Sequence, residues 1–144
     1  MRVVVAVAAL LVAAAMLPAS AAAATWTGKT KQGRKVVVRT GDDGHVVRVR
    51  IGWKAGCADG TYTSRTIFVP PFDTSTLTEF ADAGTYTAHP DGSVSRIRVT
   101  LKGWWVAAGD RWRGTLAVRV RVRQSGKLID TCRLRKLKWS AGRA

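Results

Sequence analysis

Polar and apolar residues alternate with period two over much of the chain, a spacing that predicts β-strands with one dry and one wet face. The clearest run is His45 to Trp53, where Val47, Val49, Ile51 and Trp53 share one face and Arg48 and Arg50 the other. It runs directly toward Cys57, so that cysteine is expected at a strand end. Ahead of it, Trp26 to Thr30 and Lys35 to Arg39 read as short strands joined by a turn at Lys31 to Arg34. Gly41-Asp42-Asp43-Gly44 is a hairpin turn, because Asp-Gly supplies the positive φ angles a tight turn needs.

The longest alternating runs, Val94 to Val106 and Arg111 to Arg123, form a hairpin about Ala108-Gly109. That turn pairs Ile97 with Val120, Val99 with Val118 and Leu101 with Leu116, so every inward residue meets an inward one. A slip of one residue would turn the whole apolar set outward, which specifies the register. The same register sets Trp105 opposite Trp112, and Gly103 opposite Gly114. The glycine pair leaves a gap that a bulky neighbour or a sharp bend must fill. The other face carries Arg96, Arg98, Lys102, Arg113, Arg119, Arg121 and Arg123, with Trp104 across from Arg113.

Elsewhere the pattern is weaker. Thr61 to Val69 is a β-prone run stopped by Pro70-Pro71. Phe72 to Ala83 reads as a loop whose Phe72, Leu77 and Phe80 tuck onto the core, and a strand resumes from Gly84 to Ala88. Pro90-Asp91-Gly92 and Ser125-Gly126-Lys127 are turns. In the closing strand, Leu134 is out of phase with Leu137 and Trp139, so a bulge near Arg135-Lys136 is expected. The resulting fold class is all-β: a single antiparallel domain of about eight strands, a sandwich or a partly closed barrel.

The first residues follow a different pattern. Arg2, an unbroken apolar run from Val3 to Leu17, Pro18 and then small residues make a signal peptide over residues 1–24, cleaved after Ala21 or Ala24. The secreted domain is then residues 25–144. A membrane anchor needs about twenty apolar residues, and this run is shorter and ends in a helix breaker, so no span is expected after processing. Export places the only two cysteines, Cys57 and Cys132, in an oxidising compartment, where they are expected to bond to each other. Such a bond closes more than half of the exported chain, worth about 4–5 kcal/mol in the chain-entropy account.

Charge narrows the partners. The chain has 24 Lys and Arg against 9 Asp and Glu, a net +15, and of these charges only Arg2 lies in the leader. Such an excess favours anionic polymers: a wall polymer, an acidic glycan or a nucleic acid. Arginine outnumbers lysine and asparagine is absent, a bias that a GC-rich coding sequence produces by itself. Two readings of the seven-cation face therefore stand: an anion-binding surface, or a solvated face whose arginines discourage edge-to-edge pairing. The Trp104 and Arg113 pair likewise reads as a cation–π contact ordering the hairpin end, or as an aromatic platform for a sugar or base.

The residues assign no catalytic group, metal ligand or cofactor. Gly28-Lys29-Thr30 fails as a phosphate loop, because the position of its first glycine holds Ala23 and no strand precedes it. His45 and His89 lack partners at metal-ligand spacing, and Asp42-Asp43 is too short a ladder for calcium. No G-x-S-x-G turn occurs. A carboxylate pair drawn from Asp59, Asp73, Glu79, Asp82 and Asp130 is the remaining route to a small hydrolase. A secreted inhibitor or interaction protein acting through the Phe68 to Phe80 loop is the other alternative.

The order of short motifs is also informative: Trp26-Thr27-Gly28-Lys29-Thr30 running to Gln32-Gly33-Arg34, Cys57-Ala58-Asp59-Gly60, Gly114-Thr115-Leu116, Asp130-Thr131-Cys132, and Lys138-Trp139-Ser140-Ala141. Together they resemble a group of small secreted β-rich proteins of high-GC Gram-positive bacteria. The chain departs from that pattern at Arg133-Leu134-Arg135, where the group has small polar residues and a glycine. The resemblance implies the architecture and export, and brings no catalytic residues. The expected function is a non-catalytic binding or cell-envelope-associated module with affinity for anionic polymers.

Overall fold

A computed structural model describes residues 23–144. The expected signal peptide, residues 1–24, lies outside the described residues except for Ala23 and Ala24. The strands are β1 (Ala24–Thr30), β2 (Lys35–Thr40), β3 (Val46–Gly56), β4 (Thr61–Phe68), β5 (Thr74–Ser75), β6 (Glu79–Ala88), β7 (Val94–Val106), β8 (Arg111–Gln124) and β9 (Lys127–Arg143). They form one antiparallel nine-stranded sheet in the order β4-β3-β2-β1-β9-β8-β7-β6-β5. The strand beyond the expected eight is β5, two residues paired with Phe80 and Ala81. Among the described residues no helix is long and apolar enough to cross a membrane.

The topology is two meanders, β1 to β4 and β5 to β9, joined where β1 pairs with the C-terminal half of β9 from Trp26 with Arg143 to Thr30 with Trp139. Because β1 ends at Thr30, the first half of β9 would be an open edge on that side. The far end of β3 curls over to meet it, pairing Gly56 with Arg133. Cys57 and Cys132 are the next residues on the two strands, and they are bonded to each other with Cα atoms 4.1 Å apart. The disulfide therefore locks the point at which the sheet closes on itself.

Closure is partial. β4 and β6 are bridged through side chains: the Tyr86 hydroxyl lies 2.8 Å from Thr66 Oγ1, which also accepts the Trp53 Nε1–H at 2.9 Å. Burial pushes the Tyr86 phenol above its ordinary value, and the Thr66 hydrogen bond opposes that rise in part. Above the unfolded tyrosine pKa the folded protein thus keeps a proton that the unfolded chain has begun to release. This contribution is constant below the unfolded tyrosine pKa of about 10 and turns unfavourable above it. Tyr86→Phe is expected to cost about 1 kcal/mol at neutral pH and to flatten the alkaline loss of stability. Urea unfolding of both proteins at neutral pH and above the tyrosine pKa checks this, and parallel losses in the two proteins would contradict it.

The concave side of the curved sheet is the core. Val36, Val38, Val49, Ile51 and Trp53 from one meander pack with Ile97, Leu101, Leu116, Val120, Leu137 and Trp139 from the other. The β7–β8 register is the expected one throughout, including Ile97 with Val120 and Trp105 with Trp112. Gly103 and Gly114 face each other as expected, and two rings fill their gap. A Cβ on Gly103 would collide with Phe80, and one on Gly114 with Trp139 and the Lys102 carbonyl. The bulge in β9 is also found: pairing shifts between Leu116 with Leu137 and Val118 with Leu134, leaving Arg135 and Lys136 opposite Ala117. At Arg133-Leu134-Arg135 the chain continues as strand. The hairpin from Gln124 to Lys127 turns on Ser125 and Gly126, both at positive φ, 50° and 77°, as a two-residue primed turn requires.

Three local expectations are corrected. Val47 is 40% exposed and Val46 only 2%, because pairing shifts from Arg39 with Arg48 to Thr40 with Val46, leaving Val47 as a bulge that inverts the alternation. Leu77 does not tuck in and is 58% exposed. The strand expected from Gly84 begins at Glu79, drawn into the sheet by Phe80, which is buried over Gly103.

Candidate anion-binding face

Strands β7 and β8 set their outer residues in register, so the alternating arginines become a grid. Arg96 pairs directly with Arg121, and Arg98 with Arg119. Cross-strand neighbours root about 5 Å apart and same-face neighbours along a strand about 7 Å apart, so these four guanidinium groups spring from one small rectangle. They line a groove of about 240 Å³ whose side wall is Thr85 of β6, the residue paired with Arg98. All four are exposed. Among the described residues no lysine or arginine forms a salt bridge; the one acid–base contact is Asp43 with His45, at 3.2 Å. Opposed like charges of this kind are unfavourable by some tenths of a kcal/mol each, and a shared counter-ion relieves them.

The other three expected cations do not line this groove. Lys102 is exposed opposite Thr115. Arg113 is opposite Trp104 and lines a separate cleft of about 460 Å³ with Lys29, Lys31 and Lys138. Arg123 sits at the hairpin end and donates to the Gly126 carbonyl at 3.3 Å. Among the described residues the cation–π contact joins Arg143 to Trp26, with the guanidinium carbon 5.3 Å from the ring centroid, and not Arg113 to Trp104 as expected. Trp104 is 41% exposed.

The sheet also adds cations that reasoning on the hairpin alone does not reach. Arg133 of β9 pairs with Arg119, lengthening one row of the grid, and Lys138 pairs with Thr115. A second basic groove of about 300 Å³ runs over β2 and β3, lined by Lys35, Arg39, Arg48 and Arg50, with Arg39 and Arg48 directly paired. The alternation in β2 and β3 marks those arginines as outward, and the hairpin turn at Gly41 to Gly44 was the available signal for their pairing.

Of the carboxylates that could form a catalytic pair, Asp59 and Asp130 meet beside the disulfide, and Asp73 and Asp82 meet at β5 and β6. Asp130 accepts backbone N–H groups from Ala58 at 3.1 Å, Asp59 at 3.3 Å and Thr131 at 2.8 Å, which braces the turn beside the disulfide. It lies with Cys57 and Cys132 in a grouping of metal-ligand types, but the two sulfurs are bonded to each other. Beside β5 and β6, Asp73 and Asp82 both accept the Ala83 N–H, at 3.1 and 3.0 Å. Burial, with the nearby Asp73 charge adding to it, raises the Asp82 carboxyl above its ordinary value, against the lowering effect of the Ala83 hydrogen bond. Glu79 is exposed opposite Trp104. In the Phe68 to Phe80 loop, Phe72 packs on Phe80 with centroids 6.0 Å apart, while Val69 is 56% exposed.

Comparisons with known protein families, with curated protein sequences and with solved structures return no match.

Proposed function

We propose that the protein is an exported, non-catalytic module that binds anionic polymers, such as a wall polymer, an acidic glycan or a nucleic acid, through the outer face of β7 and β8. The observation that carries this reading is the rectangle of Arg96, Arg98, Arg119 and Arg121, directly opposed in register and without a neutralising acid. An extended polyanion offers successive negative groups to such a grid, and Arg133 continues the grid onto the neighbouring strand. Export is supported by the apolar leader and by the Cys57–Cys132 bond, which persists in oxidising compartments.

Binding of this kind draws on counter-ion release. Affinity for duplex DNA, used as a model polyanion, should fall with salt at a log–log slope of about 0.9 per phosphate contact. Replacing Arg98, Arg119 and Arg121 together by glutamine is expected to reduce that slope by roughly 3 units. The melting temperature should not fall, because all three side chains point away from the core and their loss relieves the opposed like charges. Fluorescence anisotropy across a salt series reads the slope. An unchanged slope, for duplex DNA and for a teichoic-acid-type polymer alike, would show the face to be merely solvated.

A further inference from the structure

One cavity differs from the basic grooves. At the open end of the sheet, where β1, the C-terminus of β9 and the β7–β8 turn meet, a pocket of about 350 Å³ is walled by Trp26, Trp105, Trp112 and Leu77, with Arg143 and Asp110 among its charged lining residues. The three indoles contact one another edge to face: Trp26 with Trp105 at 5.9 Å, Trp26 with Trp112 at 6.4 Å and Trp105 with Trp112 at 5.5 Å. Trp26 and Trp112 are 7% and 2% exposed, and among the described residues neither indole N–H has a hydrogen-bond partner, as is also true of Trp139 outside the pocket. Buried indole N–H groups ordinarily find an acceptor, and leaving one without is unfavourable. Trp53 shows the ordinary case, donating to Thr66 at 2.9 Å. Leu77 is a large apolar side chain left more than half exposed on the pocket wall. Arg143 stacks over Trp26 and forms no salt bridge with any described residue.

We propose that this pocket binds a small amphiphilic anion, an aromatic or branched apolar body carrying a carboxylate or sulfonate head. The apolar body packs against Trp105 and Leu77, replacing water on surfaces that otherwise stay wet. The head draws on the positive charge of Arg143, which lines the pocket over Trp26. Asp110 carries the same sign as the head and works against it, which sets the charge the ligand can bear. The site is independent of the arginine grid on β7 and β8, since none of its residues belongs to that grid.

The test uses the purified protein and the probe 1-anilinonaphthalene-8-sulfonate, at a salt concentration high enough to suppress binding to the outer arginines. The expected result is one saturable site per chain, retained in the Arg98, Arg119 and Arg121 triple glutamine variant. Arg143→Gln should weaken it and Asp110→Asn should tighten it, each by roughly two- to threefold, the effect of one exposed charge partly screened by salt. Asp110 sits at φ 44°, where asparagine is well tolerated, so that variant keeps the backbone. Leu77→Ser, at an exposed position, should weaken binding about tenfold through lost apolar contact. In proton–nitrogen NMR spectra the indole resonances of Trp26 and Trp112 should move on saturation while that of Trp53 stays. Several weak sites that vanish with salt, unchanged affinity in both charge variants, or indole shifts confined to other tryptophans would each overturn the proposal.

Discussion

Reduction of the Cys57–Cys132 bond is expected to lower the melting temperature by about 15–25 °C, the shift corresponding to some 4–5 kcal/mol in a domain of this size. The effect is large for two reasons that add. The bond spans 75 residues, so it removes much of the conformational freedom of the unfolded chain. It also sits one residue beyond the Gly56 and Arg133 pair, the single backbone pairing by which β3 closes onto β9. Losing the bond therefore leaves the closure to that one pair and to the Asp130 hydrogen bonds with the Ala58 and Asp59 N–H groups. Thermal unfolding followed by circular dichroism, with and without reductant, reads the shift, and thiol titration of the native protein should find no free thiol. A melting temperature that changes by less than about 5 °C on full reduction would mean that the closure holds without the bond, since each kcal/mol is worth several degrees.

Gly114→Ala is expected to destabilise the protein by about 3 kcal/mol, at the upper end of what one added methyl group does in a packed core. Gly114 faces Gly103 across β7 and β8, and the space between the strands and the opposite wall is filled by Phe80 and Trp139, whose centroids are 6.1 Å apart. The new Cβ would meet both the Trp139 ring and the Lys102 carbonyl. A ring can rotate aside, but the carbonyl belongs to a paired strand and moves only if the β7–β8 register opens. Gly84→Ala is the control: it lies on exposed β6 with no atom within 4 Å of a built Cβ, so it should change stability by no more than about 0.5 kcal/mol. Chemical denaturation midpoints compare the two. Equal costs would mean that the Trp139 ring does not rest on Gly114.

Much of this could be derived from residue order, because it depends on neighbours along one or two adjacent strands. The register of β7 on β8 follows from matching two alternating runs about Ala108-Gly109, and its outcome includes the arginine grid, since fixing Ile97 against Val120 also fixes Arg98 against Arg119. The bulge at Arg135 and Lys136 shows as a break in parity between Leu134 and Leu137. The disulfide follows from there being two cysteines and an expected export signal.

Where residue type carries no mark, sequence reading failed. Val46 and Val47 are chemically identical, so only the bulge opposite Arg39 and Thr40 decides which one is buried. Phe80, Phe72 and Leu77 look equally fit for the core. Phe80 wins because Gly103 leaves it a seat, a fact about another strand, and Leu77 is left on the wall of the tryptophan pocket. That pocket is the clearest case of tertiary decision. Trp105 and Trp112 are paired by the hairpin, yet Trp26 and Arg143 reach them only because β1 docks on β9 and brings the first strand beside the last. Alternation and turn chemistry determined which residues face inward and how sequential strands align, because those are local properties of a pleated backbone. The meeting of β1 with β9 and of β3 with β9, and every cavity between them, was decided by how a twisted sheet curls to bury one face, which no local pattern records.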